Sequence, residues 1–217
     1  MLLYLIAASP LIFFLMVFLP WNPGRAPRPL SLMATYLKGA LIFLPAYLLL
    51  LITRRAFGFS YEGILLYLSL LQRDHLMPVL AGLGGFLLLR RKLNIASNEE
   101  SIFLTVFSYL SGFVTMLNFT DALQASGGWD AYGLFLLPSL RLATALLLSL
   151  FAEMFFPWEG TEAGFFCGAG AVCAILLTFS SFFFRINRIG WSVLLAVVPL
   201  MGAVAMFAMR FPRALRD

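Results

Sequence analysis

The sequence has few charged residues and few residues that commonly bind metals. Only 12% of its 217 residues are Asp, Glu, Lys or Arg, against about 25% in a typical soluble domain. It has one histidine, His75, which excludes a metal site built on two histidines, so we expect no metal and no cofactor. The two cysteines, Cys167 and Cys173, would lie about 120° apart on a helix, so we expect small buried side chains rather than a disulfide.

The motifs of several common enzyme classes are also missing. There is no HExxH, no GxSxG, no P-loop and no GxGxxG. One polar segment, Arg73-Asp74-His75, does put a carboxylate beside an imidazole. Acid–base chemistry at a membrane surface is a conceivable use of these groups, but an interfacial turn has the same composition. The sequence therefore favours a protein that is not an enzyme.

Apolar residues dominate the chain and occur in long runs. They make up 62% of the sequence, and the mean hydropathy is +0.94. A helix of about 20 apolar residues is long enough to cross a bilayer. The sequence therefore predicts an all-α, polytopic transmembrane helical bundle of about seven spans, within a range of roughly six to eight, with very short loops. Almost no sequence is left for a soluble domain, so we expect a single integral membrane domain over residues 1–217.

The apolar runs define the expected spans. The run 2–20 lacks the basic segment and the cleavage site of a signal peptide, so it is expected to be a retained span. Runs 57–71 and 76–89 are each too short to cross a bilayer upright. We expect 57–71 to lie in the interface and 76–89 to cross; the alternatives are two short spans joined by a polar turn, or a re-entrant element. The other expected spans are 36–53, 101–123, 132–156, 163–184 and 189–209.

Basic residues lie mainly at the ends of the apolar runs. The net charge is +5, with clusters at 54–55, 90–92 and 210–216. This placement is typical of topology signals and lipid headgroup contacts, and it argues against nucleic acid as a partner. The Lys/Arg asymmetry favours seven crossings, with the N-terminus outside and the C-terminus in the cytoplasm. We expect membrane lipids as partners, other membrane subunits as further partners, and the bacterial cytoplasmic (inner) membrane as the location.

Arg141, inside the run 132–156, is the residue whose insertion into a bilayer should cost the most free energy. It lies about 13 Å along a helix that starts at Tyr132, near the centre of the hydrocarbon core. A central arginine costs about 2.5–3.5 kcal/mol on insertion scales, so it should face other helices or a wet cavity and have a polar partner. Because helical side chains tilt toward the helix N-terminus, the expected partners are Asn118, Asp121 or Asp130. The residue is interpreted either as a structural tie between helices or as a substrate or proton-path arginine.

One side of the run 101–118 is small and polar. Its stripe of hydroxyl and amide side chains includes Ser108, Ser111, Thr115 and Asn118. In a membrane this face should point inward, either as a helix-packing face or as the lining of a cavity or path. With Arg141 and Asp121 these residues form the candidate buried polar or substrate site. Asp121 lies toward the apolar side of the helix, so we expect it past the hydrocarbon core, at the lipid headgroups.

A second candidate site is the polar segment between the runs 57–71 and 76–89. It is predicted to be an interfacial polar turn whose charged and titratable members are Glu62, Arg73, Asp74 and His75. Because the single histidine stands among Gln, Arg and Asp, we expect the segment 72–75 to be solvent-accessible at the membrane surface. We do not expect His75 to bind a metal.

Three classes of function are consistent with these patterns. Short loops favour a small helical subunit of a membrane complex or transport system, and the GxxxG pair Gly164 and Gly168 predicts a helix–helix contact face. The alternative is a stand-alone small-solute transporter with a polar path lined by 101–118 and Arg141. A membrane-embedded enzyme acting on lipid is the third class.

Overall fold

The chain is helical in the computed structural model, which describes residues 8–13, 15, 29–56, 62–89, 99–124, 131–155 and 162–210. These residues are 97% helical, contain no strand and form seven helices, so the predicted all-α class is confirmed. The first four are α1 (Ser9–Phe13), α2 (Pro29–Ala56), α3 (Gly63–Leu70, Leu71–Leu76 and Met77–Leu89) and α4 (Glu99–Gln124). The last three are α5 (Tyr132–Leu136 and Leu137–Phe155), α6 (Glu162–Arg185) and α7 (Ile189–Arg210).

Three of the described helices are long and apolar enough to cross a membrane. They contain Leu30–Arg55, Ile102–Gln124 and Cys167–Arg185, with mean hydropathies of 1.8, 1.6 and 1.9. Shorter apolar stretches, Leu137–Ala152 and Ile189–Gly202, occur in α5 and α7. These helices are compatible with a membrane protein. The predicted count of seven spans is not confirmed, and most of the first predicted span, 2–20, lies outside the described residues.

α2 begins earlier than the sequence predicted. We expected its start at residue 36, but the helix begins at Pro29. Proline is tolerated in the first turn of a helix because the backbone N–H there has no helical partner. The Thr35 hydroxyl donates to the carbonyl of Ser31 at 2.9 Å, four residues back, so its polar group is satisfied within the helix. α2 then continues through Pro45 to Ala56.

α3 is one helix where the sequence predicted two runs separated by a turn. Its middle part, Leu71–Leu76, is π-helical, and the flanking residues Leu70 and Met77 keep α-helical dihedral angles. A π-helical segment keeps backbone groups hydrogen-bonded, whereas a turn here would leave buried N–H and C=O groups unpaired. The predicted polar turn at 72–75 is therefore wrong, whereas the two short spans and the re-entrant element stay predictions. Whether 63–70 lies in a membrane interface stays a prediction.

α3 changes direction at its π-helical segment. In its second half it runs antiparallel to α6, since His75 contacts α6 near its end and Leu83 lies against Gly170. In a straight helix, Tyr67 would lie about 12 Å beyond His75, past the end of α6. Its hydroxyl instead donates to the carbonyl of Ile175 at 3.0 Å. The extra residue in the π-helical turn accounts for this bend, as π-bulges commonly do.

α4 is the central helix of the described structure. In its apolar window, 89% of the residues are buried, against 28% in α2 and 39% in α6. Its buried aromatic side chains include Phe103, Phe107 and Tyr109. The outer faces of α2, α6 and α7 instead expose large apolar side chains, among them Leu41, Leu176 and Val198. This distribution fits an apolar environment around the protein.

α2 and α4 run parallel. The Ser108 hydroxyl of α4 donates to the carbonyl of Leu32 at 2.6 Å, near the start of α2. Towards the other end of both helices, Arg54 of α2 donates to Asp121 of α4 at 3.2 Å. The ends of α2 and α4 that carry charged groups therefore lie together.

Two glycines allow α2 and α4 to approach closely. A Cβ on Gly39 of α2 would overlap the backbone carbonyl oxygen of Tyr109, and a Cβ on Gly112 of α4 would overlap that of Tyr36. The small-residue face predicted for 101–118 is therefore used for contact between backbones, as is common between membrane helices.

Candidate functional site

Arg141 is buried and bonded to the end of α4. It is 5% exposed. Its Nη1 donates to Asn118 Oδ1 at 2.9 Å, and its Nη2 donates to Asp121 Oδ2 at 2.6 Å. These are two of the three partners expected from the sequence; the third, Asp130, lies outside the described residues. The contact forms because α5 returns antiparallel to α4, and its side chains tilt back toward the end where α4 finishes.

Asp121 is shared by two arginines from different helices. Its Oδ2 accepts from Arg141, and its Oδ1 accepts from Arg54 Nη1 at 3.2 Å. The Asp121 side chain is 26% exposed, whereas the side chains of Arg54 and Arg141 are 11% and 6% exposed. One carboxylate thus ties α2, α4 and α5 together at one end, and its single negative charge balances one of two nearby guanidinium charges.

A second polar group lies on the π-helical segment of α3. Asp74 Oδ2 accepts a hydrogen bond from the Tyr132 hydroxyl at 2.8 Å, and His75 Nε2 lies 2.7 Å from Ser181 Oγ. Asp74 and His75 are both buried, which corrects the prediction that both are solvent-accessible. The physical reason is that α5 and α6 supply polar partners, so the two side chains point between helices instead of toward the surface.

The other two members of the predicted turn lie outside this group. Arg73 is exposed, with 49% of its side chain accessible, and its Nε lies 3.7 Å from Asp74 Oδ1. Glu62 is exposed at the start of α3 and makes no capping hydrogen bond there. The structure therefore brings Asp74 and His75 into the protein and leaves Glu62 and Arg73 on its surface.

A small cavity separates the two polar groups. Its volume is about 30 Å³, and its wall is formed by α3, α4 and α5. The side chains of Asp74, His75 and Arg141 line it, and Thr144 also contributes. Farther along the parallel helices α3 and α5 the lining is apolar, with Gly82 and Leu148 facing Leu110 of α4. A cavity needs roughly 10–15 Å³ to hold one water molecule, so this one is large enough for water.

The Ser/Thr stripe of α4 does not reach this cavity. Ser108 donates to the α2 carbonyl of Leu32, and Thr115 donates to the carbonyl of Ser111 at 2.8 Å within its own helix. The cavity is lined instead by apolar residues of α4, namely Leu110, Phe113, Val114 and Leu117. Of the two interpretations of the stripe, the structure shows helix packing. Ser108, Ser111 and Thr115 are therefore separate from the Arg141 group.

Three partners in these groups were not identified from the sequence. Arg54 was interpreted as an end-of-span charge, Tyr132 as the first residue of an apolar run, and Ser181 as a small residue of the helix–helix contact face that begins at Gly164 and Gly168. The guanidinium carbon of Arg185 also lies 4.3 Å from the centre of the Tyr132 ring, a cation–π geometry. A sequence signal exists only for Arg54, because a basic residue at a helix end is a common partner for an acidic residue at the end of a neighbouring helix.

The site consists of charged and hydrogen-bonded groups. Among the described residues, no group of three or more His, Cys, Asp or Glu is placed to hold a metal ion. Two carboxylates, four arginines and one imidazole instead form these contacts between five helices.

Comparison of the chain with protein-family models, with curated proteins and with solved structures gives no match. The function must therefore be inferred from the chemistry of these residues and from where the helices place them.

Proposed function

We propose that the protein is a multi-pass integral membrane protein and that it acts as a small helical subunit of a membrane complex or transport system. We place it in the bacterial inner membrane with about seven spans, on the strength of the apolar runs and of the Lys/Arg distribution. The three long apolar helices support the membrane part of this proposal. Membrane lipids and neighbouring subunits are the proposed partners.

An uncovered small-residue face on α6 is the observation that carries the subunit role. Gly164 and Gly168 are exposed, and a Cβ on either would meet no described atom within 4 Å. Farther along α6, the small residues Ala174, Thr178 and Ser181 are buried against this chain. Because small residues let membrane helices approach closely, the glycine pair fits a helix supplied by another subunit.

Substitution on this face tests the subunit role. Gly168→Leu should reduce the size of the complex extracted from native membranes in mild detergent, and Gly164→Leu should do the same. Gly190→Leu is the matched control, because Gly190 is also exposed on a helix and has no described atom near its Cβ position. Blue native electrophoresis reports the size. A wild-type protein that runs at the mass of one chain, unchanged in all three variants, would reject the proposal.

A stand-alone transporter is the second candidate function, and the cavity favours it. Charged side chains from α3 and α5 meet there, at the bend of α3. Broken or bent helices at a buried polar site are a recurring feature of transporters. A volume of about 30 Å³ fits water, so a solute would require the helices to separate.

Ligand-induced stabilisation separates the two candidates. Acetate and inorganic phosphate are suitable probes, because Arg141 would meet the anionic group of a solute. If the protein is a transporter of such anions, either probe should raise the unfolding temperature of wild type but not of Arg141→Leu. If each probe changes the unfolding temperature of wild type and of Arg141→Leu by the same amount, the subunit role is the better supported of the two.

A further inference from the structure

We infer that Asp74 is a proton-binding site and that its protonation decides whether Arg141 pairs with Asp121 or with Asp74. The inference goes beyond the proposed subunit role and does not depend on it. The ligand is a proton, and the moving part is the arginine side chain. Arg141 and Asp74 line the same cavity from α5 and α3, and its volume of about 30 Å³ is enough for a water molecule.

Among the described residues, no cation donates a hydrogen bond to Asp74, as a permanently ionised buried carboxylate would require. It is 8% exposed, and its hydrogen bond comes from the neutral hydroxyl of Tyr132. The nearby cation on its own helix, Arg73, is 3.7 Å away and half exposed. A buried charge is expensive unless it is paired and hydrogen-bonded. By contrast, Asp121 receives hydrogen bonds from two guanidinium groups and keeps its charge at low cost.

Arg141 has one N–H donor without a partner among the described residues. Its two terminal nitrogens are used by Asn118 and Asp121, but its Nε is buried and has no hydrogen-bond partner among the described residues. If Arg141 turns toward Asp74, Asp121 retains Arg54 as its counter-charge. The network therefore has two arrangements. In the first, Arg141 pairs with Asp121 and Asp74 is a neutral carboxyl group bonded to Tyr132. In the second, Arg141 pairs with ionised Asp74 and Arg54 remains with Asp121.

The proton step is simple. A hydronium ion in solvent gives a proton to a carboxylate oxygen of Asp74; one O–H bond forms, one breaks, and water remains. The proton has a short route, because Arg73 beside Asp74 is half exposed. With Asp74 neutral, Arg141 pairs with Asp121, which is the arrangement described above. With Asp74 ionised, the attraction across the cavity draws Arg141 toward α3.

Charged and titratable groups surround Asp74 on every helix that packs against it. They are Arg73 and His75 on α3, Tyr132 and Arg141 on α5, Asp121 on α4, Arg54 on α2 and Arg185 on α6. His75 is committed to Ser181 and Arg185 lies over the Tyr132 ring. Arg141 is the cation that lines the same cavity as Asp74, so it is the group expected to respond.

Infrared difference spectroscopy on the purified full chain, recorded as a function of pH, tests the proton site. Wild type should show a protonated-carboxyl band that disappears as the pH rises. Asp74→Asn should lack this band. In Arg141→Leu the band should persist to higher pH, because the competing cation is gone. A wild-type spectrum without such a band, or a band unchanged in Asp74→Asn, would overturn the assignment.

The exchange of partners has its own measurement. In Asp121→Asn, Arg141 loses its acidic partner and should turn to Asp74, so the band should disappear at a lower pH than in wild type. Asn118→Ala is the matched control, since it removes only the neutral partner, and its band should remain. An unchanged band in Asp121→Asn would reject the exchange. Should that variant fail to fold, Tyr132→Phe gives a second measurement. Because it removes the hydrogen bond to Asp74, its band should lie at a higher wavenumber than that of wild type. An identical wavenumber would overturn the site.

Discussion

Arg141 and Asp121 form an ion pair of 2.6 Å between antiparallel helices, twenty residues apart in the sequence. The pair is not symmetrical, because the second carboxylate oxygen of Asp121 is held by Arg54. Loss of either arginine leaves the carboxylate with a counter-charge. Loss of the carboxylate removes the counter-charge of both arginines: Arg141 can turn to Asp74, but the largely buried Arg54 is left without a counter-charge.

The first prediction follows from this asymmetry. Asp121→Asn should lower the free energy of unfolding by about 3–5 kcal/mol, the usual cost of stranding a buried charge. Arg141→Leu should lower it by less than about 1 kcal/mol, because it removes a buried charge and Arg54 still neutralises the carboxylate. Denaturant unfolding in detergent micelles, followed by circular dichroism, measures both values.

Arg54→Leu is the matched control for this comparison. It removes the other guanidinium and leaves the shorter ion pair intact, so its effect should resemble that of Arg141→Leu. If Asp121→Asn proved no less stable than the two arginine variants, the carboxylate would not be the centre of the network.

The Arg141 contact could be predicted from the sequence because local rules were sufficient. An arginine deep in an apolar run requires a partner, and the short connection 124–131 makes the neighbouring spans antiparallel. The tilt of side chains then selects the end of α4 where Asn118 and Asp121 lie. No distant part of the chain had to be known for this step.

The environment of Asp74 and His75 could not be predicted in the same way. Their partners Tyr132 and Ser181 are 58 and 106 residues away in the sequence. A polar segment between two apolar runs has the same local pattern whether it faces water or neighbouring helices. One extra residue in a π-helical turn is also invisible to a periodicity of about 3.6 residues, so the continuous helix α3 was interpreted as two segments.

The Ser/Thr stripe of α4 is an intermediate case. The stripe is buried, but so is the opposite apolar side of α4, for example Phe103, Leu110 and Phe113, so the predicted contrast between an inward and an outward side is not found. The choice between a packing face and a path depended on α2, because the contact of Gly39 and Gly112 with the facing backbones is a property of both helices. No feature of 101–118 alone contains that information.

The second prediction concerns this close contact. Gly39→Ala and Gly112→Ala should each destabilise the protein by at least about 1–3 kcal/mol, since the added methyl group overlaps a backbone carbonyl that cannot move alone. Gly84→Ala is the control: a Cβ there meets no described atom within 4 Å, and alanine should stabilise the helix by about 0.5–1 kcal/mol. Thermal unfolding in detergent distinguishes a lowered unfolding temperature from a raised one. Stabilisation by all three substitutions would contradict the close approach of α2 and α4.

The third prediction concerns the turn between α6 and α7. Asn187 has φ 61°, and the N–H groups of Asn187 and Arg188 donate to the carbonyls of Phe184 and Phe183. This is a Schellman motif, whose left-handed residue is usually glycine. Asn187→Gly should therefore preserve or slightly raise the unfolding temperature, whereas Asn187→Val should lower stability by about 1–2 kcal/mol. Equal stability of the two variants would show that residue 187 is not held in the left-handed conformation.

The fourth prediction concerns the two sides of the π-helical segment. In a background with Cys167→Ala and Cys173→Ala, a charged, membrane-impermeant maleimide should label Arg73→Cys quickly, because that side chain is half exposed. His75→Cys should be labelled much more slowly, because His75 is 3% exposed and faces Ser181. Glu62→Cys serves as the exposed reference on the same helix. Elution profiles of the three proteins check that each is folded. Similar labelling rates at all three positions would support the solvent-exposed turn that the sequence predicted. Such a result would also contradict the burial of Asp74, because Asp74 is adjacent to His75 on the same π-helical turn.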